Sequence, residues 1–128
     1  MDHDEWTVER HLQGKPEKVI ALYDRFIELA GRCGPFTYSV AKSAIVLKGE
    51  RRGFAGVALS AAGIHGHLDL QRTIEDRRIV RSYPYTKRLF VLHWQAGSPE
   101  DLDDEFAGWL REAYAVGGGA HLSGPPLR

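Results

Sequence analysis

The chain has 128 residues, of which 43% are hydrophobic and 27% are charged, and its 17 basic residues balance 17 acidic ones. This composition is typical of one globular domain and excludes an intrinsically disordered chain. No apolar run approaches the roughly 18 residues of a membrane span, and the acidic N-terminus lacks the features of a signal peptide. We therefore expect a cytoplasmic protein with no membrane partner, and the single cysteine, Cys33, is typical of a reducing compartment.

The charge is distributed unevenly along the chain. Residues 42–93 contain ten Lys and Arg against four Asp and Glu, which gives this segment a net charge of +6. Residues 1–41 have a net charge of −2, and residues 94–128 have a net charge of −4. If the basic segment folds onto one surface, we expect that surface to attract an anionic partner.

Apolar residues at a spacing near 3.6 predict two main helices. The first runs from Pro16 to Gly34, because Pro is favoured in a first helical turn and Gly at a helix end. The second begins at Ser98, where a capping side chain is followed by Pro and acidic residues, and it ends at the triple glycine 117–119. We expect residues 120–128 to form a flexible tail, so the predicted domain spans residues 1–119.

Between the two helices the apolar spacing changes to about 2, which is typical of strands. Strands are predicted at residues 36–40, 43–48, 54–60, 64–72 and 88–95, and the polar stretch 73–87 is interpreted as a link. Short connections favour a mainly antiparallel sheet of four to five strands. Each main helix has one apolar stripe, so both are expected to pack on one face of the sheet. The predicted fold class is therefore α+β, with the other sheet face open.

Several segments of the chain resemble a known family. They are residues 14–16 (Gly-Lys-Pro), 30–35 (Ala-Gly-Arg-Cys-Gly-Pro), the segment at Phe54, and residues 98–105 leading into 109–114. These segments resemble bacterial proteins grouped as domain of unknown function 5655, and the likeness covers nearly the whole chain. The resemblance implies a compact, single-domain, cytosolic α+β protein. It assigns no reaction and no catalytic residues.

The basic strand ends beside the open sheet face are the predicted functional site. Forked guanidinium groups gathered there would suit a phosphate or a carboxylate. We predict a non-catalytic module that binds a small anionic ligand, such as a nucleotide or phosphorylated metabolite, and needs no cofactor. Four cations, two hydrogen-bonding histidines and a stacking tyrosine are expected to bind it: Arg52, Arg72, Lys87, Arg88, His67, His93 and Tyr85. The alternative is a solvated rim of cations that protects the sheet edges against aggregation.

A second alternative is a metal-dependent hydrolase. His65, His67 and Asp69 alternate along one predicted strand, so they share a face, and His93 from another strand would add a further ligand. Polar residues on the wet face of a half-buried sheet show the same spacing, and this interpretation is favoured. The sequence contains no phosphate-binding glycine loop, nucleophile elbow or paired-cysteine motif, so it assigns no reaction.

A third alternative is an accessory protein that binds single-stranded nucleic acid. Residues 83–88 (Tyr-Pro-Tyr-Thr-Lys-Arg) follow a basic stretch that contains Arg77, Arg78 and Arg81. Aromatic rings beside cations can stack on bases while the cations contact phosphates. The net charge of zero argues against a general binder of nucleic acid.

A fourth alternative is a structural module that forms a homodimer through the open sheet face. In the last predicted strand, Leu89 and Val91 alternate with Phe90, Leu92 and Trp94. If helices cover only one face, one of these two apolar sets stays exposed. Exposed apolar surface of this kind usually has a partner.

Overall fold

The computed structural model describes residues 5–123, which contain four α-helices, one 3₁₀ helix and six strands. The helices are α1 (Val8–Leu12), α2 (Glu17–Cys33), α3 (Asp104–Gly117) and α4 (Ala120–Ser123), and Pro99–Asp101 forms the 3₁₀ helix. The strands are β1 (Thr37–Val40), β2 (Ile45–Lys48), β3 (Gly53–Leu59), β4 (Ile64–Leu70), β5 (Ile79–Thr86) and β6 (Leu89–Ala96). No helix in this described part is long and apolar enough to cross a membrane.

All six of these strands form one antiparallel sheet, in the order β1-β2-β3-β4-β6-β5. The α+β class and the antiparallel sheet are confirmed, but the predicted number of four to five strands is wrong. The additional strand is β5, which lies in the stretch 73–87 that was expected to be a link. This strand is at the sheet edge, where Pro84 is tolerated because one side of the strand needs no backbone donor. Most of its side chains are exposed, so it lacks the apolar alternation by which strands are predicted.

The second main helix begins later than predicted. Ser98 leads into the short 3₁₀ helix, and the chain then bends at Leu102, whose φ and ψ are −105° and 62°. This bend places the Leu102 side chain in the core, where it is fully buried. Helix α3 begins at Asp104, and the Asp103 side chain caps it by accepting a hydrogen bond from the backbone N–H of Phe106 at 2.9 Å.

Helices α2 and α3 pack on the same face of the sheet. Phe26 of α2 and Phe106 of α3 both contact Trp94 of β6, with ring centroids 5.2 Å and 5.0 Å apart. Leu68 of β4 is fully buried on this side of the sheet. Because side chains alternate along a strand, His67 lies on the opposite side, which the two main helices leave open.

Part of the predicted tail has regular structure. Residues 120–123 form α4, and the backbone carbonyl of His121 accepts a hydrogen bond from Nη1 of Arg88 at 2.9 Å. Residues 124–128 of the predicted tail and residues 1–4 of the predicted domain lie outside the described residues. Helix α4 is therefore joined to the turn between β5 and β6.

Candidate ligand-binding site

The open sheet face carries a cleft of about 540 Å³, here called the open-face cleft. It is lined by residues of the β2–β3 connection and of β3, β4, β5 and β6: Arg52, Gly53, His67, Asp69, Tyr83, Tyr85, Val91 and His93. This volume lies within the range of small-molecule sites, which is about 300–1,000 Å³. The lining combines aromatic rings, imidazoles and one ion pair.

The side chain of His67 lies against β3 at Gly56. Gly56 is the cross-strand partner of His67, and a Cβ atom at Gly56 would overlap the His67 ring. Glycine inside a strand weakens it, because it gains little from packing and loses much conformational freedom on folding. A glycine in this central strand therefore serves the placement of the imidazole rather than the stability of the sheet.

Arg52 and Asp69 form an ion pair in the wall of the cleft. Nη2 of Arg52 donates to Oδ2 of Asp69 at 2.6 Å, and Nε of Arg52 donates to the Gly53 carbonyl at 3.0 Å. The backbone N–H of Arg52 also donates to the Gly117 carbonyl, which ties the β2–β3 connection to the end of α3. Asp69 is only 5% exposed, and burial raises the pKa of its carboxyl group, although His67 and Arg52 oppose this shift.

His67 and His93 are directly paired across β4 and β6, so their imidazoles are neighbours in the cleft. Burial lowers the pKa of His67, a shift that Asp69 opposes and that His93 and Arg52 reinforce. Burial also lowers the pKa of His93, with further contributions from Arg81 and His65. Both imidazoles are therefore mainly neutral at pH 7, and each offers one hydrogen-bond donor and one acceptor.

Two tyrosines of β5 form the outer wall of the cleft. The Tyr83 hydroxyl hydrogen bonds with Nε2 of His93 at 3.3 Å. Tyr85 is 60% exposed, and Cζ of Arg52 lies 5.7 Å from the centre of its ring. A planar ligand has an accessible aromatic face beside a guanidinium group here.

A family model described as Domain of unknown function (DUF5655) matches residues 8–117 of the chain. The chain belongs to this family. The resemblance predicted from the sequence is thus confirmed. The matched range runs from α1 to α3 and includes every residue that lines the open-face cleft. No curated protein and no solved structure matches the chain.

Four of the seven residues predicted to bind a ligand line the cleft of this DUF5655 domain: Arg52, His67, Tyr85 and His93. The other three lie elsewhere. Nε and Nη2 of Arg72 donate to the two carboxylate oxygens of Glu112 on α3, at 2.9 Å and 2.7 Å. Lys87 is exposed in the turn between β5 and β6, and Arg88 is bonded to α4. Of the four predicted cations, Arg52 therefore lines the cleft, and Arg72, Lys87 and Arg88 do not.

The residues of the metal alternative share the open face of the domain without forming a ligand set. Within residues 5–123, no three His, Cys, Asp or Glu side chains are arranged as a metal site. Asp69 is bound by Arg52, and His65 is exposed and lies two residues along the strand from His67. The hydrolase interpretation gains no support from this arrangement.

Two further arginines of the basic segment are held by carboxylates, most of which come from residues 101–105. Arg78 is only 4% exposed, and its guanidinium bonds the carboxylates of Asp76, Asp103 and Glu105. Arg77 pairs with Asp101 at 2.7 Å. These two arginines, which the nucleic-acid alternative counted as phosphate contacts, instead fasten the start of β5 to the segment before α3.

Three residues in or beside the cleft were not among the predicted ligand contacts: Asp69 and Tyr83, which line it, and Arg81. Asp69 was considered only as a metal ligand, and Tyr83 and Arg81 only as parts of a basic aromatic stretch. Their proximity depends on β5, because Arg81 is paired with His93 and Tyr83 with Val91 in the sheet. The alternation of Arg81, Tyr83 and Tyr85 was the available signal, but Pro84 and the polar neighbours obscured the strand.

Proposed function

We propose that this DUF5655 domain is a binding module that takes a small anionic ligand, a nucleotide or phosphorylated metabolite, in the open-face cleft. One observation carries the proposal. Residues from four separate segments, each expected from the sequence to contact such a ligand, lie together around a single cleft of suitable volume.

The chemistry of the lining supports an anionic ligand with a planar part. Within the described residues, Nη1 of Arg52 has no acceptor, so its N–H groups are free. The bonds that Nε and Nη2 make fix the orientation of the guanidinium. A guanidinium held in this way suits phosphate oxygens, and the neutral imidazole of His93 can add a donor. The exposed ring of Tyr85 supplies a stacking surface.

A second cavity, of about 280 Å³, lies at the opposite end of the sheet and is less suited to an anion. Its cationic side chains are Arg77 and Arg78, and both are already bound by carboxylates. The open-face cleft has an arginine with free donors, so it is the better candidate.

The homodimer alternative loses its main argument in the structure. Leu89 is 1% exposed within the monomer, and Val91 is half-buried in the lining of the cleft. The polar side chains of His67, Asp69 and His93 occupy the centre of the open face. Leu89 and Val91 are therefore not left exposed as the homodimer alternative expected, and the exposed rings on this face are those of Tyr83 and Tyr85.

Thermal unfolding in the presence of nucleotides and phosphorylated metabolites at low salt tests the proposal. A ligand at 100 times its Kd is expected to add about 2.7 kcal/mol to the free energy of unfolding. The variants Tyr85→Ala and His93→Gln should lose this stabilisation. The variant Arg72→Ala removes a cation outside the cleft and should keep it. If no anion stabilises the parent protein, or if the cleft variants respond as the parent does, the proposal is wrong.

A further inference from the structure

The charges that line the open-face cleft cancel in the free protein. Among the described residues of the lining, Arg52 and Asp69 are the charged side chains at pH 7, and Nη2 of Arg52 lies 2.6 Å from Oδ2 of Asp69. The imidazoles of His67 and His93 are mainly neutral at this pH and add no charge. The cleft therefore attracts an anion by its net charge only when an imidazole gains a proton.

The two imidazoles of the cleft are too close to be charged together. His67 and His93 are direct cross-strand partners on β4 and β6, and the Cβ atoms of such partners lie about 4.5–5.5 Å apart. Two positive charges at this separation repel each other, and partial burial strengthens the repulsion. We therefore expect the pair to take up about one proton.

His93 is surrounded by groups that oppose a positive charge on its ring. The titratable and charged groups that face it are His65 and His67 on β4, and Arg81 and Tyr83 on β5. None of these carries a negative charge at pH 7, and within residues 5–123 no carboxylate forms an ion pair with His93. An anion in the cleft would therefore be the first negative charge to face this imidazole.

The surroundings of His67 are different. Asp69 faces it with a negative charge, and Arg52 faces it with a positive one. Because the free protein already contains a counter-charge near His67, a bound anion changes the balance of charge there less than it does at His93. His93 is therefore the better site for the proton.

The hydroxyl of Tyr83 suits both protonation states of His93. It lies 3.3 Å from Nε2, and a hydroxyl can either donate a hydrogen bond or accept one. It can donate to Nε2 of the neutral ring, and it can accept from Nε2–H once the ring is protonated. In the second state, Nδ1–H of His93 and the O–H of Tyr83 are both available to a ligand. The proton thus adds one positive charge and one hydrogen-bond donor to the cleft.

We propose that the open-face cleft binds its anion together with one proton, which His93 takes up as the anion enters. Burial and Arg81 lower the pKa of His93 in the free protein, and a bound anion raises it. The affinity for the anion should therefore increase as the pH falls through the pKa of the bound form, and become constant below the pKa of the free form. This inference rests on the proposed function and adds the regulation of the site by pH.

Titration with sulfate and with phenyl sulfate tests this coupling, because neither anion takes up protons near neutral pH. Uptake of one proton raises the affinity by at most ten-fold per pH unit. We expect the tighter of these two anions to bind ten-fold or more tightly at pH 5.5 than at pH 7.5. Isothermal titration calorimetry at pH 6.5, in two buffers with different ionisation enthalpies, counts the protons, and we expect more than about half a proton per bound anion.

Three histidine variants locate the proton. His93→Gln should abolish proton uptake and bind the anion equally weakly at both pH values. His65→Gln is the matched control, because it removes an exposed imidazole outside the lining of the cleft, and it should keep the uptake. Uptake that survives in His93→Gln but is lost in His67→Gln or His65→Gln would overturn the assignment to His93. Circular dichroism at both pH values checks that each variant is folded.

The possible results separate this inference from the proposed function. If nucleotides or phosphorylated metabolites stabilise the domain but neither sulfate compound binds at pH 5.5, or if an anion binds without proton uptake, the inference is overturned and the proposed function stands. If no anion of any kind binds at either pH, both are overturned. Proton uptake that depends on His93 supports the inference.

Discussion

Replacing Gly56 with alanine is expected to destabilise the domain and to disturb the cleft at the same time. The added Cβ would overlap the His67 ring, so the imidazole must move off its position against β3 and into the cleft. Overpacking of this kind costs about 1–3 kcal/mol. In a His67→Ala background the ring is gone, and alanine should then be favoured over glycine by about 0.5–1 kcal/mol. The two positions are therefore expected to have a coupling free energy of about 1.5–4 kcal/mol.

Urea denaturation of the parent, the two single variants and the double variant measures this coupling. Gly31→Ala is the control substitution, because nothing lies within 4 Å of a Cβ atom at this position of α2, and it should stabilise the protein by about 1 kcal/mol. If the changes in the free energy of unfolding of the two single variants sum to that of the double variant within about 0.5 kcal/mol, Gly56 does not constrain the His67 imidazole. The Gly56→Ala variant should also bind the ligand of the cleft more weakly, since the displaced ring occupies its space.

Three further predictions concern the ion network, the histidines and a helix cap. Arg78→Met should lower the free energy of unfolding by about 1.5–3 kcal/mol, because it removes the hydrogen bonds that a buried guanidinium makes to three carboxylates. The same change at Arg77, whose side chain is 72% exposed, should cost less than about 1 kcal/mol, and urea denaturation measures both variants. Similar losses in the two variants would contradict the prediction that the buried Arg78 stabilises the network more than Arg77 does. Because burial lowers the pKa of His93 in the folded state, the unfolded state binds more protons at mildly acidic pH. The free energy of unfolding should therefore fall as the pH drops below about 6.5. In unfolding titrations between pH 5 and 7.5, His93→Gln should reduce this pH dependence. An unchanged pH dependence would mean that His93 does not cause it. Asp103→Ala removes the cap of α3 and one bond to Arg78, so it should cost at least about 1 kcal/mol by thermal unfolding, and a neutral result would exclude the capping role.

The sequence was sufficient for the helices and the central strands, because their apolar residues repeat at the periods of a helix and a strand. Phe26 and Phe106 belong to apolar stripes at helical spacing, and both are fully buried against the sheet. Strand β5 could not be predicted in the same way, since an edge strand with exposed side chains has no apolar period. The bend at Leu102 was also missed, because a 3₁₀ turn and a helix start share the same capping residues.

The site was only partly predictable, because it depends on which strands are neighbours. The facing of His67 and His93 requires β6 to lie beside β4, and the facing of Arg81 and His93 requires β5 as a further strand, which the sequence analysis did not predict. The charge pattern was misleading for a physical reason. A segment of net charge +6 next to one of −4 favours pairing of opposite charges, as in Arg72 with Glu112, over a cluster of free cations.

The strand order also bears on how the cleft assembles during folding. Strands β5 and β6 are joined by a short turn and can pair locally, whereas the pairing of β4 with β6 must close a longer loop. Tyr83 and His93 belong to this hairpin. Arg52 and His67 belong to the rest of the sheet, so the cleft exists only after the hairpin has docked onto β4. A ligand in the cleft bridges this seam, and it should slow amide hydrogen exchange in β4 and β6 more than in α2.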